Sequence, residues 1–130
     1  MSVPDLWPSL KPHGELTPLG ILRKQAALLF RKTNGLLEGQ VKTDGTGPEF
    51  VHNFNIIAPA LGHFTYQMFS ISHGLHSYPL TSTNRNGRTV IQTESELLTW
   101  IRNEMETQRP TIEQLLNESL PDSERAELVG

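Results

Sequence analysis

From residue 17 onward the apolar residues recur at three- and four-residue spacing. Leu19, Leu22, Ala26, Leu29 and Phe30 form one stripe, while Arg23, Lys24, Arg31 and Lys32 fall on other sides. That is the period of an amphipathic helix. Thr17 supplies an N-cap, Pro18 suits the first helical position, and Asn34-Gly35 supplies a stop. The expectation is a helix over residues 18–34 with one core face and one basic face.

Beyond that stop the period becomes two. Leu37, Gly39 and Val41 alternate with Glu38, Gln40 and Lys42, and the turn Asp44-Gly45-Thr46-Gly47-Pro48 follows. Phe50, His52, Phe54 and Ile56 then alternate with Val51, Asn53, Asn55 and Ile57 up to Ala58-Pro59. Both runs read as half-buried strands. In the third run, 64–72, Phe64, Tyr66 and Met68 share one face but Phe69 and Ile71 fall on the other. Such a break predicts either a central strand or a bulge. Asn86-Gly87, between residues 78–84 and 88–92, predicts a two-residue hairpin turn with Arg85 opposite Arg88.

Thr93-Glu94-Ser95-Glu96 is a capping box. Leu97, Leu98, Ile101 and Met105, with Trp100 nearby, continue as an amphipathic helix to about Thr107, where Arg109-Pro110 breaks it. Ile112, Leu115 and Leu116 mark a third helix from about residue 110 to 119. Each strand reaches the next by a short loop, with no crossover helix between them. The predicted fold is therefore α+β: an antiparallel meander sheet of about five strands with one N-terminal and two C-terminal helices. If those helices cover one face, the other is left to solvent or a partner. Asn53, Asn55, Thr65 and Gln67 would populate it.

The 130 residues suit one domain. Pro4, Pro8 and Pro12 around Leu6, Trp7 and Leu10 predict an extended arm over residues 1–16, with Trp7 the side chain able to pin it. Residues 17–120 form the single domain, and 121–130 read as a flexible tail. Cysteine is absent, which excludes disulfides, thiolate nucleophiles and cysteine-based zinc sites, and points to a reducing, cytoplasmic compartment. The longest apolar run, 26–30, is far short of the roughly 20 residues of a membrane span, and the start lacks the pattern of an export signal.

Charge divides along the chain. The net −3 combines +3 over residues 1–92 with −6 over 93–130. Arg23, Lys24, Arg31 and Lys32 could join Arg85 and Arg88 in contacting phosphate if helix and hairpin tip lay side by side. A pI near 5.9 argues against strong nucleic-acid affinity.

Histidine is the main chemical resource. His73-Gly-Leu-His76 has a metal-pair spacing but lies in a glycine-containing loop, where helical one-face logic fails. Asp44 and Glu49 are expected near that end, and His63 some 30 Å away at the other, at roughly 3.3 Å per residue. Ser72 and His73 alternate across a strand and cannot act as nucleophile and base. Gly45-Thr46-Gly47 joins two strands instead of opening a helix, so it is not a phosphate loop. Glu94 and Glu96 suit a helix N-terminus, and Glu104, Glu106, Glu113 and Glu118 suit a helix surface. No catalytic residue, metal or cofactor is expected.

The leading expectation is a non-catalytic protein-binding or accessory module, acting on a partner protein or on itself as a homodimer. The alternatives are a small-ligand or metal-dependent enzyme using the His73/His76 end, and a weak nucleic-acid-contacting module. The general layout of a cysteine-free, acidic α+β domain with a meander sheet resembles the small bacterial secretion chaperones, which bind client proteins as dimers. Those chaperones place a helix within the strand run and this chain does not, so the likeness is one of layout alone.

Overall fold

In the computed structural model of the chain, residues 2–14 and 16–122 are described. The expected flexible tail from residue 121 falls mostly outside them. Helix α1 spans Pro18–Lys32, and the Gly20 amide donates to Thr17 Oγ1 at 3.0 Å as its cap. The helix stops at Lys32, ahead of the Asn34-Gly35 signal, because Thr33 takes over the end. Its hydroxyl donates to the Leu29 carbonyl at 2.9 Å and its oxygen accepts the Leu37 amide at 3.1 Å. Asn34 and Gly35 then turn the chain with positive φ, at 51° and 80°.

Five strands follow in chain order, β1 (Glu38–Asp44), β2 (Phe50–Ala58), β3 (Phe64–His73), β4 (Leu80–Asn84) and β5 (Gly87–Ile91). They form one antiparallel meander in the order β1-β2-β3-β4-β5. Helix α2 (Glu94–Thr107) and helix α3 (Arg109–Ser119) complete the α+β fold. At the start of α2 the Glu96 amide donates to Thr93 Oγ1 at 3.2 Å. The Glu96 carboxylate accepts the Gln92 amide at 2.8 Å, one residue further back than an ideal capping box.

Helices α1, α2 and α3 lie on one side of the sheet. There α1 crosses β1, α3 reaches β2, and α2 runs against β5. Leu22 from α1 and Leu97 and Ile101 from α2 join Phe54, Ile56, Phe69, Ile71, Leu80 and Ile91 in one core. Phe54 stacks on Phe69 with ring centroids 5.3 Å apart, and Trp100 meets Phe69 edge-on at 5.1 Å. Where α1 crosses β1 the backbones touch. A Cβ added to Gly39 would lie 2.5 Å from Ala26 Cα, so only glycine permits this approach.

The broken alternation of the third run is a β-bulge. Phe54 pairs with Phe69 and Asn55 with Gln67, leaving Met68 as the extra residue. The bulge resets the alternation, so Phe64 and Tyr66 before it and Phe69 and Ile71 after it all face the helices. Met68 keeps its backbone carbonyl free for Gln108, whose Nε2 donates to it at 3.0 Å. The Gln108 Oε1 accepts the Tyr66 hydroxyl at 2.8 Å, and Glu104 bridges Gln108 to Asn84 Nδ2, the latter at 2.9 Å. The α2–α3 junction is thereby tied to the bulge and to β4.

One register differs from the expectation. Asn84 pairs with Gly87 and Thr83 with Arg88, so Arg85-Asn86 forms the turn and Arg85 does not oppose Arg88. The Asn84 side chain explains the shift, since its Oδ1 accepts the Asn86 amide at 2.9 Å and closes the turn one residue early. Trp7 does not pin the arm in this chain; it is 76% exposed.

Candidate functional site

Among the described residues, no helix covers the sheet side away from the core on any of the five strands. Strand alternation places Gln40 and Lys42 of β1, Asn53 and Asn55 of β2, Thr65, Gln67, Ser70 and Ser72 of β3, Thr81 and Thr83 of β4, and Arg88 and Val90 of β5 there. Side-chain amides lace its centre. Asn55 Nδ2 donates to Gln40 Oε1 at 3.2 Å, and Gln67 Nε2 donates to Asn53 Oδ1 at 3.1 Å. These bonds fix the amide planes before any partner arrives, which lowers the entropy lost on association. Asn53, Asn55, Thr65 and Gln67, singled out from the sequence, therefore share this surface.

His73 does not join them. Phe50 pairs with His73 and His52 with Ile71, so His52 and His73 are diagonal neighbours on the helix side. Their Nε2 atoms are 2.8 Å apart. The His73 Nδ1 lies 2.8 Å from the Gly74 carbonyl, which can only accept, so this nitrogen carries a proton. In the neutral pair, His73 Nε2 then accepts from His52 Nε2–H, and His52 Nδ1 accepts from the Thr43 hydroxyl at 2.9 Å. Every ring nitrogen is satisfied. Burial, then the neighbouring His73 and Arg23, hold His52 below its ordinary value of 6.5.

His76 is exposed in the segment after β3, apart from that chain of bonds. Asp44 turns into its own loop, where Oδ1 accepts the Thr46 amide at 3.0 Å and hydroxyl at 2.8 Å. Those bonds hold its carboxyl below the usual carboxylate range. Among the described residues no group of three or more His, Asp or Glu side chains is placed to hold a metal ion.

The basic residues are divided. Helix α1 lies over the β1 edge and the β4–β5 hairpin forms the opposite edge, about 19 Å away at the usual strand spacing. Arg85 stacks over the Tyr66 ring at 5.2 Å, toward the helices, whereas Arg88 lies on the open face. Of the α1 cations, Arg23 influences His52 while Lys32 lines a groove between the helices. They form no single surface with Arg85 and Arg88.

Sequence reasoning missed His52 and Gln108. Period two sets His52 beside Phe50 and Phe54, but only the β2–β3 register reveals His73 as its neighbour. Gln108 carries no local signal, because its partners come from β3. No protein family, curated protein or solved structure matches the chain. Among the described residues, no helix is long and apolar enough to cross a membrane.

Proposed function

We propose that this protein is a non-catalytic binding module that holds a partner protein against the open face of its sheet. One observation carries the reading: helices cover a single face, and the other is a continuous five-strand surface whose central amides are locked by Gln40–Asn55 and Asn53–Gln67 hydrogen bonds. Its mix of short hydroxyl and amide side chains with Val51, Ile57 and Val90 suits a partner that brings its own hydrogen-bonding groups.

The test is capture of partners from a cell lysate by the immobilised full chain, compared with Asn53→Lys and Gln67→Glu. Both substitutions insert charge into the middle of the face without touching the core. The reading expects a discrete partner retained by the parent protein and lost by both variants, with unchanged circular dichroism. Capture that ignores both substitutions, or no capture at all, overturns it. In that case the small-ligand reading at the histidine end of the sheet moves ahead, supported by the ordered His52–His73 pair.

A further inference from the structure

A groove separates α1 from α2 and α3 on the helix side. Its deep end is a cavity of about 150 Å³ floored by Phe54, Ile56 and Met68 and walled by Leu28, Leu29 and Ile112. That is below the roughly 300–1,000 Å³ of small-molecule sites and suits a single large side chain. An adjoining pocket of about 460 Å³ shares Gln25, Lys32, Met105 and Ile112 with it. Arg109 is held there by Glu106 at 3.2 Å and Glu113 at 2.6 Å. Lys32 and Arg102 line the same groove without an ion-pair partner among the described residues. The groove therefore asks for an apolar anchor next to a negative charge.

The N-terminal arm carries that combination. Leu6, Trp7 and Leu10 are 81%, 76% and 70% exposed, a run of apolar side chains that a water-facing surface seldom leaves uncovered. Asp5 Oδ1 accepts the Trp7 amide at 3.0 Å, which sets a carboxylate beside Leu6 and Trp7. Pro4, Pro8 and Pro12 restrict the chain and so reduce the entropy of docking it. The ten residues between Trp7 and Pro18 could extend about 33–36 Å, well beyond the ~22 Å length of α1. Among the described residues, a single chain leaves its arm undocked and its groove open.

We propose that the arm of each copy docks in the groove of a second copy, Trp7 filling the cavity over Phe54, Ile56 and Met68 and Asp5 meeting Lys32 and Arg102. The result is a reciprocal, arm-exchanged dimer. An aromatic side chain buries about 150–250 Å². Three apolar anchors per arm, with the walls they cover and two arms, exceed the ~1,200 Å² at which specific interfaces begin. The exchange uses the helix side, so both open sheet faces remain available. It goes beyond the sheet-face reading and can fail independently of it.

Sedimentation equilibrium of the full chain over a hundredfold concentration range tests the exchange. The parent protein should form a reversible dimer. Trp7→Ala should weaken it at least tenfold, and so should either Asp5→Lys or Lys32→Glu, while the double charge reversal regains most of the loss. Asn53→Lys should leave the dimer intact. All these substitutions sit at exposed or partly exposed positions, so the fold is preserved. A protein that stays monomeric, or a dimer indifferent to Trp7→Ala, overturns the exchange. A dimer broken by Asn53→Lys alone also overturns it, while leaving the sheet-face reading in place. A monomer whose Trp7 emission, read in a Trp100→Phe background, is shielded from quencher shows docking within one chain and overturns it as well.

Discussion

Replacing Gly39 by alanine adds one methyl group where α1 crosses β1. The added Cβ would lie 2.5 Å from Ala26 Cα, 2.6 Å from its Cβ and 3.1 Å from its carbonyl oxygen. Comfortable carbon–carbon separations lie near 3.5–4.0 Å, so the helix must retreat by about 1 Å. The obstacle is helix backbone and cannot rotate away. Overpacking of this kind costs about 1–3 kcal/mol, and losing a glycine from the unfolded ensemble returns only ~0.4–1 kcal/mol. The net expectation is a loss of about 1–2 kcal/mol. Urea denaturation should show a lower midpoint with an unchanged slope; at a slope of ~2 kcal/mol per molar, the shift is roughly 0.5–1 M. Gly47→Ala, where nothing lies within 4 Å of the added methyl, should be near neutral and serves as the control. Adding Ala26→Gly should not rescue Gly39→Ala, because the clash with the helix backbone at residue 26 persists and glycine costs about 1 kcal/mol in a helix. A Gly39→Ala protein as stable as its parent would refute the crossing of α1 over β1 at Ala26.

Gln108→Ala should cost about 2 kcal/mol, since it strips partners from the Tyr66 hydroxyl, the Met68 carbonyl and the Glu104 carboxylate; an unchanged urea midpoint would show that the junction does not depend on this network. Thr93→Ala should lower Tm by roughly 3–5 °C, equivalent to about 1 kcal/mol for the lost cap, and calorimetry would reveal its absence. Because His52 is held below 6.5 in the fold, the unfolded chain binds this proton more readily. Stability should therefore rise with pH through the window just below 6.5 and level off above it. His52→Gln should flatten that rise in urea midpoints measured across the window, and an identical slope in both proteins would contradict the assignment.

Much of the architecture follows from residue periodicity. The spacing of Leu22 and Leu29, the alternation from Phe50 to Ile57 and the Thr93 cap each act locally, and local signals set element type and order. The register between elements depends on distant partners. The carbonyl at the Met68 bulge is taken by Gln108, forty residues later. The hairpin closes one residue early because Asn84 bonds across its own turn and to Glu104 on α2. The open-face residues were accessible because alternation from a strand with a known core side fixes its other side. The His52–His73 pair was hidden, since diagonal pairing across β2 and β3 depends on a register that no single strand encodes.

Site-directed photocrosslinking reads recognition through the open sheet face without relying on loss of binding. A benzophenone side chain would replace Asn53 or Gln67 in the full chain, and Gln114 on α3 as the helix-side comparison, with irradiation in the cell lysate. Discrete protein adducts from positions 53 and 67, absent from position 114, are the predicted result. No adduct from either sheet position, or the same adducts from all three, would rule out recognition through this face.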